Sequence, residues 1–323
     1  MALAPDTIQE QENRHRRTPE GGGIEFFHAA DGWRLRYGHW QTALPCKGTM
    51  FVLPGRTEFV EKYFEVVSDL MRRGFNVVVL DWRGQGLSGR LLKDEPEKNH
   101  LEDFSLLGDD FSEFLTQAGR KRFAKPWFSL AHSTGALCQM QCFADHPSSE
   151  AKFEKAVFTS PFFGMRFTPL GEARTRALVK NALEKGKARN FIPIHGKYGW
   201  KVKSFFTRDR LTSDVARFEN IHWFIDENPA LALGGVTYGW LAAAIQATDR
   251  LQQSALPGRL KMPMLFVLAG RERVVDNGPA EDFIGRLPTA SMVKLQDARH
   301  EILMERDEIR DIFWKLFDNF LSS

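Results

Sequence analysis

Ser133 lies in the run Leu130-Ala131-His132-Ser133-Thr134-Gly135-Ala136, between a short apolar stretch and a helix-like stretch. A serine at a sharp strand-to-helix turn is held with its hydroxyl above the sheet, and small flanking residues let the helix fold back closely. Ala131, Gly135 and Ala136 meet that need, with Ala131 where the usual G-x-S-x-G pattern has glycine. A serine hydroxyl is a poor nucleophile until a base takes its proton, and that base needs an orienting acid. For a serine presented this way the acid and then the histidine follow on loops after later strands. Met264–Ala269 leads to Arg271-Glu272-Arg273-Val274-Val275-Asp276-Asn277, and Met292–Leu295 leads to Gln296-Asp297-Ala298-Arg299-His300-Glu301. His300 is the expected base and Asp276 the expected acid. Glu272, close to the strand end, and Asp297, on the histidine's own loop, are the rival acids.

An anionic tetrahedral intermediate requires two N–H donors already in place. The expected pair is the backbone N–H of Thr134, after the nucleophile, and that of Arg56, in Leu53-Pro54-Gly55-Arg56-Thr57-Glu58. The Arg56 side chain has two readings, a hold on an anionic headgroup or a surface ion pair with Glu58. Two motifs are set aside. Gly84-Gln85-Gly86-Leu87-Ser88-Gly89 fits G-x-G-x-x-G, but the charged loop Lys93–Asn99 follows instead of a helix, which argues against a dinucleotide. His300-Glu301 begins a zinc-protease pattern, but position 304 is Met304. No metal and no cofactor is expected.

The elements that must position these residues alternate. A hairpin over Ile24–His28 and Arg34–Trp40 precedes apolar strands at Thr49–Leu53, Val77–Leu80, Trp127–Leu130, Ala156–Thr159, Met264–Ala269 and Met292–Leu295. Helical spacing separates them, as in Val60, Phe64, Val67 and Met71, or in the stripe Ile309, Ile312, Phe313, Leu316, Phe317 and Phe320. Such alternation means a mainly parallel sheet covered on both faces. It fails over 165–256, which reads as an insertion between core segments 24–164 and 257–323. Residues 1–23 read as a disordered polar tail and, with no signal or spanning segment, as cytoplasmic by default. Cys138 and Cys142, four apart, read as neighbouring core residues, and three cysteines in all suit a reducing compartment.

The net charge of +3 over 323 residues is uneven. Arg166–Arg217 carries 13 basic and 4 acidic residues, a balance of +9, and the rest of the chain carries −6. That concentration suggests an anionic partner, for which peripheral contact with an anionic membrane surface is the expectation, against a solvated basic helix face. Nucleic acid is not an expected partner.

Asp81-Trp82-Arg83-Gly84-Gln85-Gly86-Leu87-Ser88, the serine turn, Arg273-Val274-Val275-Asp276 and Ala298-Arg299-His300 together resemble the α/β-hydrolase superfamily. The branch they resemble contains monoacylglycerol lipases, serine-aminopeptidase-like hydrolases and bacterial inner-membrane lysophospholipases. Pro54-Gly55-Arg56, Asp276-Asn277, Arg299-His300-Glu301-Ile302-Leu303 and Gly234-Gly235-Val236-Thr237-Tyr238-Gly239-Trp240 are most similar to the lysophospholipases. The resemblance implies a mostly parallel eight-stranded α/β sheet with one antiparallel strand and an inserted lid. It further implies an acyl pocket drawn from Phe162, Phe163, Phe205, Phe206, Trp223, Phe224 and Trp240, each of which has plain packing as its other reading. The implied activity is hydrolysis of a lysophospholipid or monoacylglycerol ester. The alternatives are a peptidase or small-ester esterase on the same machinery, or a non-catalytic ligand-binding protein.

Overall fold

The computed structural model describes residues 16–117, 123–167, 169–199 and 205–323. Eight strands form one sheet: β1 (Gly22–His28), β2 (Arg34–Trp40), β3 (Thr49–Leu53), β4 (Asn76–Leu80), β5 (Trp127–His132), β6 (Phe153–Thr159), β7 (Met264–Ala269) and β8 (Ala290–Leu295). Their order across the sheet is β1-β2-β4-β3-β5-β6-β7-β8. Only β2 runs against its neighbours, pairing antiparallel with β1 and β4, and every pairing from β4 to β8 is parallel. The apolar runs of β3, β5 and β7 are buried on both faces, as a sheet covered by helices requires.

On one face lie α1 (Phe64–Arg72), which buries Val66, Val67 and Leu70, and the C-terminal helix Asp307–Ser322, which buries Phe313 and Phe317. On the other lie α2 (Ser105–Gln117) and α3 (Thr134–Asp145), with Phe111, Leu137 and Met140 in one continuous core. Cys138 and Cys142 are buried on α3, and burial pushes the Cys142 thiol up to about 12, as inert core residues require.

The longer elements described within 165–256 are helices: α4 (Glu172–Glu184), α5 (Phe205–Leu211), α6 (Val215–Glu227) and α7 (Tyr238–Gln253). A short α8 (Leu256–Arg259), α9 (Asn277–Gly285) and α10, the C-terminal helix, complete the set. Parts of the insertion belong to the core. Trp240, Ala243, Ala244 and Ala247 of α7 are buried with the α3 side chains, and Phe224 of α6 packs on Phe59 and Phe64 at centroid distances of 6.4 and 5.7 Å.

The tail expected through residue 23 ends sooner. Gly22 and Gly23 pair with Trp40 and His39 in β1, the Trp40 indole donates to Pro19 O at 3.0 Å, and Arg16 Nε donates to Asn220 Oδ1 at 3.1 Å. Residues 1–15 lie outside the described residues. The glycine-rich loop after β4 wraps a buried carboxylate. Asp81 accepts from Arg36 Nε at 2.5 Å and from the N–H groups of Val60 and Leu87, both at 2.9 Å. A Cβ on Gly86 would stand 2.0 Å from Asp81 Oδ2, so that glycine is a packing requirement and no phosphate cradle. Among the described residues no helix is long and apolar enough to cross a membrane, and no cluster of ligating side chains could hold a metal ion.

Candidate active site

Four loops leaving the C-terminal ends of β3, β5, β7 and β8 meet at one sheet edge. At the end of β5 the chain turns into α3 within one residue, and Ser133 takes φ 50°, ψ −115°, a conformation L residues rarely adopt. Gly135 makes the turn possible, since a Cβ there would lie 2.2 Å from Leu53 O and 2.6 Å from Pro54 O. Ala131 is wholly buried, and its methyl group fits where the usual pattern has glycine.

Ser133 Oγ lies 2.9 Å from His300 Nε2, and His300 Nδ1 lies 2.8 Å from Glu272 Oε2. The expected acid was Asp276, and here the structure corrects it. Asp276 is exposed and caps α9, accepting from Gly278 N at 3.0 Å. Asp297, the other rival, faces away in an exposed pair with Arg271 at 2.6 Å. Glu272 stands three residues beyond the end of β7, and its extra methylene covers the reach that proximity to the strand seemed to deny it. Its second oxygen accepts from Val274 N at 2.7 Å and Val275 N at 3.2 Å. Burial by itself pushes this carboxyl up, but the charge and hydrogen bond of His300, with the two backbone N–H groups, hold it below the ordinary glutamate range. Glu272 is therefore an anion able to fix the imidazole tautomer.

The N–H groups of Arg56 and Thr134 take no acceptor among the described residues, and both flank the serine turn. Thr134 is the first residue of α3, where an N–H has no partner within the helix. The Arg56 loop is braced from both sides. Thr57, at φ 63°, donates its N–H to Gln85 Oε1 at 2.7 Å, and Gln85 Nε2 donates to Gly55 O at 3.1 Å.

Behind the loop lies a buried network that the sequence reading passed over. Glu58 accepts from Gly55 N, from Tyr63 Oη at 2.6 Å and from Lys62 Nζ at 2.6 Å, and Lys62 reaches Glu301 at 2.8 Å. Burial pushes the Glu58 carboxyl up, yet the charges of Lys62 and His132 hold it well below the usual range. The network joins the Arg56 loop to the residue after His300. Its signal was available as Glu58 and Lys62 four apart, the spacing of a helical ion pair. It also decides one reading of Arg56: with Glu58 so engaged, the expected Arg56–Glu58 surface pair does not form.

The seven aromatic candidates divide. Phe162 donates its N–H to Ser133 O at 3.1 Å and stacks on Trp240 at 6.3 Å and 7°, so these two stand beside the serine. Phe163 is core, packed on Phe266 and Phe283 at 6.1 and 5.0 Å, and Phe224 is core as described above. Trp223 lies under the Arg16 guanidinium at 4.9 Å. The side chains of Phe205 and Phe206 lie outside the described residues. Three arginines of the basic segment are tied to acids: Arg217 to Glu65, Asp214 and Asp307, Arg189 to Asp94, and Arg176 to Glu172 and Asp249. Lys201 and Lys203 lie outside the described residues.

Residues 45–307 match the model of the family described as serine aminopeptidase, S33. The chain is 29% identical over 291 residues to a probable lysophospholipase L2 of Haemophilus influenzae, covering 90% of this chain and 88% of that one. It is 31% identical over 269 residues to lysophospholipase L2 of Escherichia coli K12, covering 81% of this chain and 76% of that one. A soluble variant of monoglyceride lipase from Saccharomyces cerevisiae, solved with a substrate analog, superposes with a TM-score of 0.70 at 17% identity, covering 95% of this chain and 97% of that one. A monoacylglycerol lipase from Paleococcus ferrophilus gives 0.65 at 16%, covering 89% and 98%. With the mixed sheet, the serine turn and these matches together, the chain belongs to the serine aminopeptidase S33 family of α/β-hydrolases.

Proposed function

We propose that the chain is a serine hydrolase that cleaves the carboxylic ester of a lysophospholipid or monoacylglycerol through an acyl-enzyme. The observation that carries the reading is the continuous chain Ser133 Oγ, His300, Glu272, at 2.9 and 2.8 Å. In this mechanism His300 Nε2 takes the hydroxyl proton as Ser133 attacks the ester carbonyl. Glu272 holds the proton on Nδ1 and stabilises the imidazolium. The N–H groups of Arg56 and Thr134 receive the oxyanion. His300 then gives its proton to the leaving glycerol oxygen, and water resolves the acyl-enzyme by the same route. Phe162 and Trp240 offer apolar surface to the acyl chain.

The choice of substrate rests on the relatives named as lysophospholipases and on the sign of charge near the oxyanion loop. Arg56 and Arg210 suit an anionic or neutral headgroup and oppose the free amine that an aminopeptidase must bind. Contact with an anionic membrane draws no support from the paired arginines of the basic segment. Purified protein assayed against lysophospholipids, monoacylglycerols, short p-nitrophenyl esters and aminoacyl amides should turn over the first two classes fastest. Ser133→Ala should lose at least about 10⁴-fold. Preferential cleavage of the amides would overturn the reading.

A further inference from the structure

The Arg56 guanidinium makes no hydrogen bond and no ion pair among the described residues, although it is partly buried and sits on the oxyanion loop. It lies over the Trp240 ring, 5.8 Å from its centroid, on the indole that stacks against Phe162 beside the serine. Glu58, two residues on, is engaged by Lys62, Tyr63 and Gly55. A cation taken partly out of water without a counter-ion is costly, and proteins keep such a group where an anion arrives with the ligand.

Two further donors share this place. Arg210, near the end of α5, is anchored by donating to Arg273 O at 3.0 Å, next to Glu272. The acid beside it, Asp209, is taken by Arg273 at 2.8 Å and Arg299 at 2.7 Å. His195 accepts the Val236 N–H on Nδ1 at 3.1 Å, which puts its ring proton on Nε2 as a free donor. The three act on one another. Desolvation first, then the positive charge of Arg210, against the opposing charge of Glu58, brings Arg56 down to about 10, and desolvation with the charges of Arg56 and Arg210 brings His195 down to about 4. Arg210 is anchored beside Glu272 and His195 beside the run that leads to Trp240, so three donors from separate segments stand around the oxyanion loop. Glu58, the acid beside Arg56, is already engaged by Lys62 and Tyr63. Planar guanidinium donors favour phosphate oxygens.

We propose that Arg56, Arg210 and His195 form a subsite for the phosphodiester anion of a lysophospholipid headgroup, so that phosphate-bearing esters are favoured over neutral monoacylglycerols of the same acyl chain. The inference rests on the ester-hydrolase reading above. The test compares kcat/KM for a lysophosphatidylglycerol and a monoacylglycerol with one short acyl chain, both below their micellar concentrations. Wild type should favour the phospholipid. Arg56→Gln should lower the ratio roughly 10- to 100-fold, chiefly through KM of the phospholipid, and Arg56→Lys should restore most of it. Arg210→Gln should lower it roughly 3- to 10-fold. An unchanged ratio in Arg56→Gln and Arg210→Gln, with monoacylglycerol still cleaved, would overturn the subsite and leave the hydrolase standing. Failure of the wild type to cleave either ester would overturn both. In a parallel arm, inorganic phosphate is titrated against monoacylglycerol cleavage. Inhibition of the wild type but not Arg56→Gln, with no preference between the two lipids, would assign the site to free phosphate and overturn the headgroup reading.

Discussion

The sheet edge that carries Ser133 and the helical segment 165–237 are held in different ways. Ser133, Glu272 and Arg56 stand on loops that begin at strands buried on both faces, and His300 on the loop after the edge strand β8. The Gln85 side chain ties the Arg56 loop, and backbone bonds tie the other three. Phe162 N donates to Ser133 O at 3.1 Å, Gly270 N to Leu295 O at 2.8 Å and Arg271 N to Ala298 O at 2.9 Å. By contrast, α4 buries only Val179 and Ala182, and Arg176 ties it to Asp249 through a partly exposed pair. Among the ties that cross between the regions, one is a buried ion-pair network. Arg217 of α6 is buried and donates to Glu65 Oε1 at 2.7 Å, to Asp214 at 2.9 Å, to Asp307 at 2.5 Å and to Glu305 O at 2.9 Å. The triad side chains are therefore held at the sheet edge, and of the three groups in the proposed subsite Arg56 belongs to that edge while Arg210 and His195 come from the helical segment.

The largest expected effect breaks the sheet-edge half of this comparison. Glu272→Gln should reduce kcat about 10³- to 10⁴-fold at unchanged folding, because the amide favours the wrong imidazole tautomer. Asp276→Asn should leave kcat within about twofold, since asparagine caps a helix as well as aspartate does. Steady-state kinetics with circular dichroism on both variants checks the pair. The opposite ranking would return the acid to Asp276.

Next is the tie between regions. Arg217→Met should destabilise the protein by about 3 kcal/mol, because it leaves buried carboxylates short of a partner. Arg189→Met, which removes an exposed pair with Asp94, should cost no more than about 1 kcal/mol. Urea unfolding of both variants measures the contrast.

The smallest effect concerns acid. His132 is buried, and burial, with the charges of His300 and Lys62 against the opposing Glu58, brings it down to about 4 from an ordinary 6.5. The unfolded chain takes up this proton first, so the contribution is whole above pH 6.5 and is lost as pH falls toward 4. Of order 1–3 kcal/mol should disappear across that window. His132→Gln should flatten the fall, as read from urea midpoints at pH 7 and pH 4.5.

The same division explains what could be read from the chain. Strand runs such as Met264–Ala269, the small residues around Ser133 and the loop position of His300 are local signals, and the structure agrees with them. The choice of acid was not local. It depends on the direction of the turn after β7, where the N–H groups of Val274 and Val275 converge on Glu272 and leave Asp276 facing solvent. That turn left one trace, a carboxylate placed three residues past a buried strand. The family resemblance offered Phe163 and Phe224 as pocket residues with packing as the other reading, and local spacing could not decide between them; both are packed in the core. The arginines of 165–256 could be counted, but Glu65, Asp94 and Asp307, which pair with Arg217 and Arg189, lie in other segments.

The central claim, that Ser133 is a nucleophile activated through His300 by Glu272, is tested most directly by covalent labelling. Protein incubated with a fluorophosphonate and weighed intact should gain one adduct, mapped by peptide mass spectrometry to Ser133. Ser133→Ala should gain none, Glu272→Gln should label far more slowly, and Asp276→Asn should label at the wild-type rate. Labelling of Ser133→Ala at the wild-type rate, or an adduct on another residue, would contradict the account.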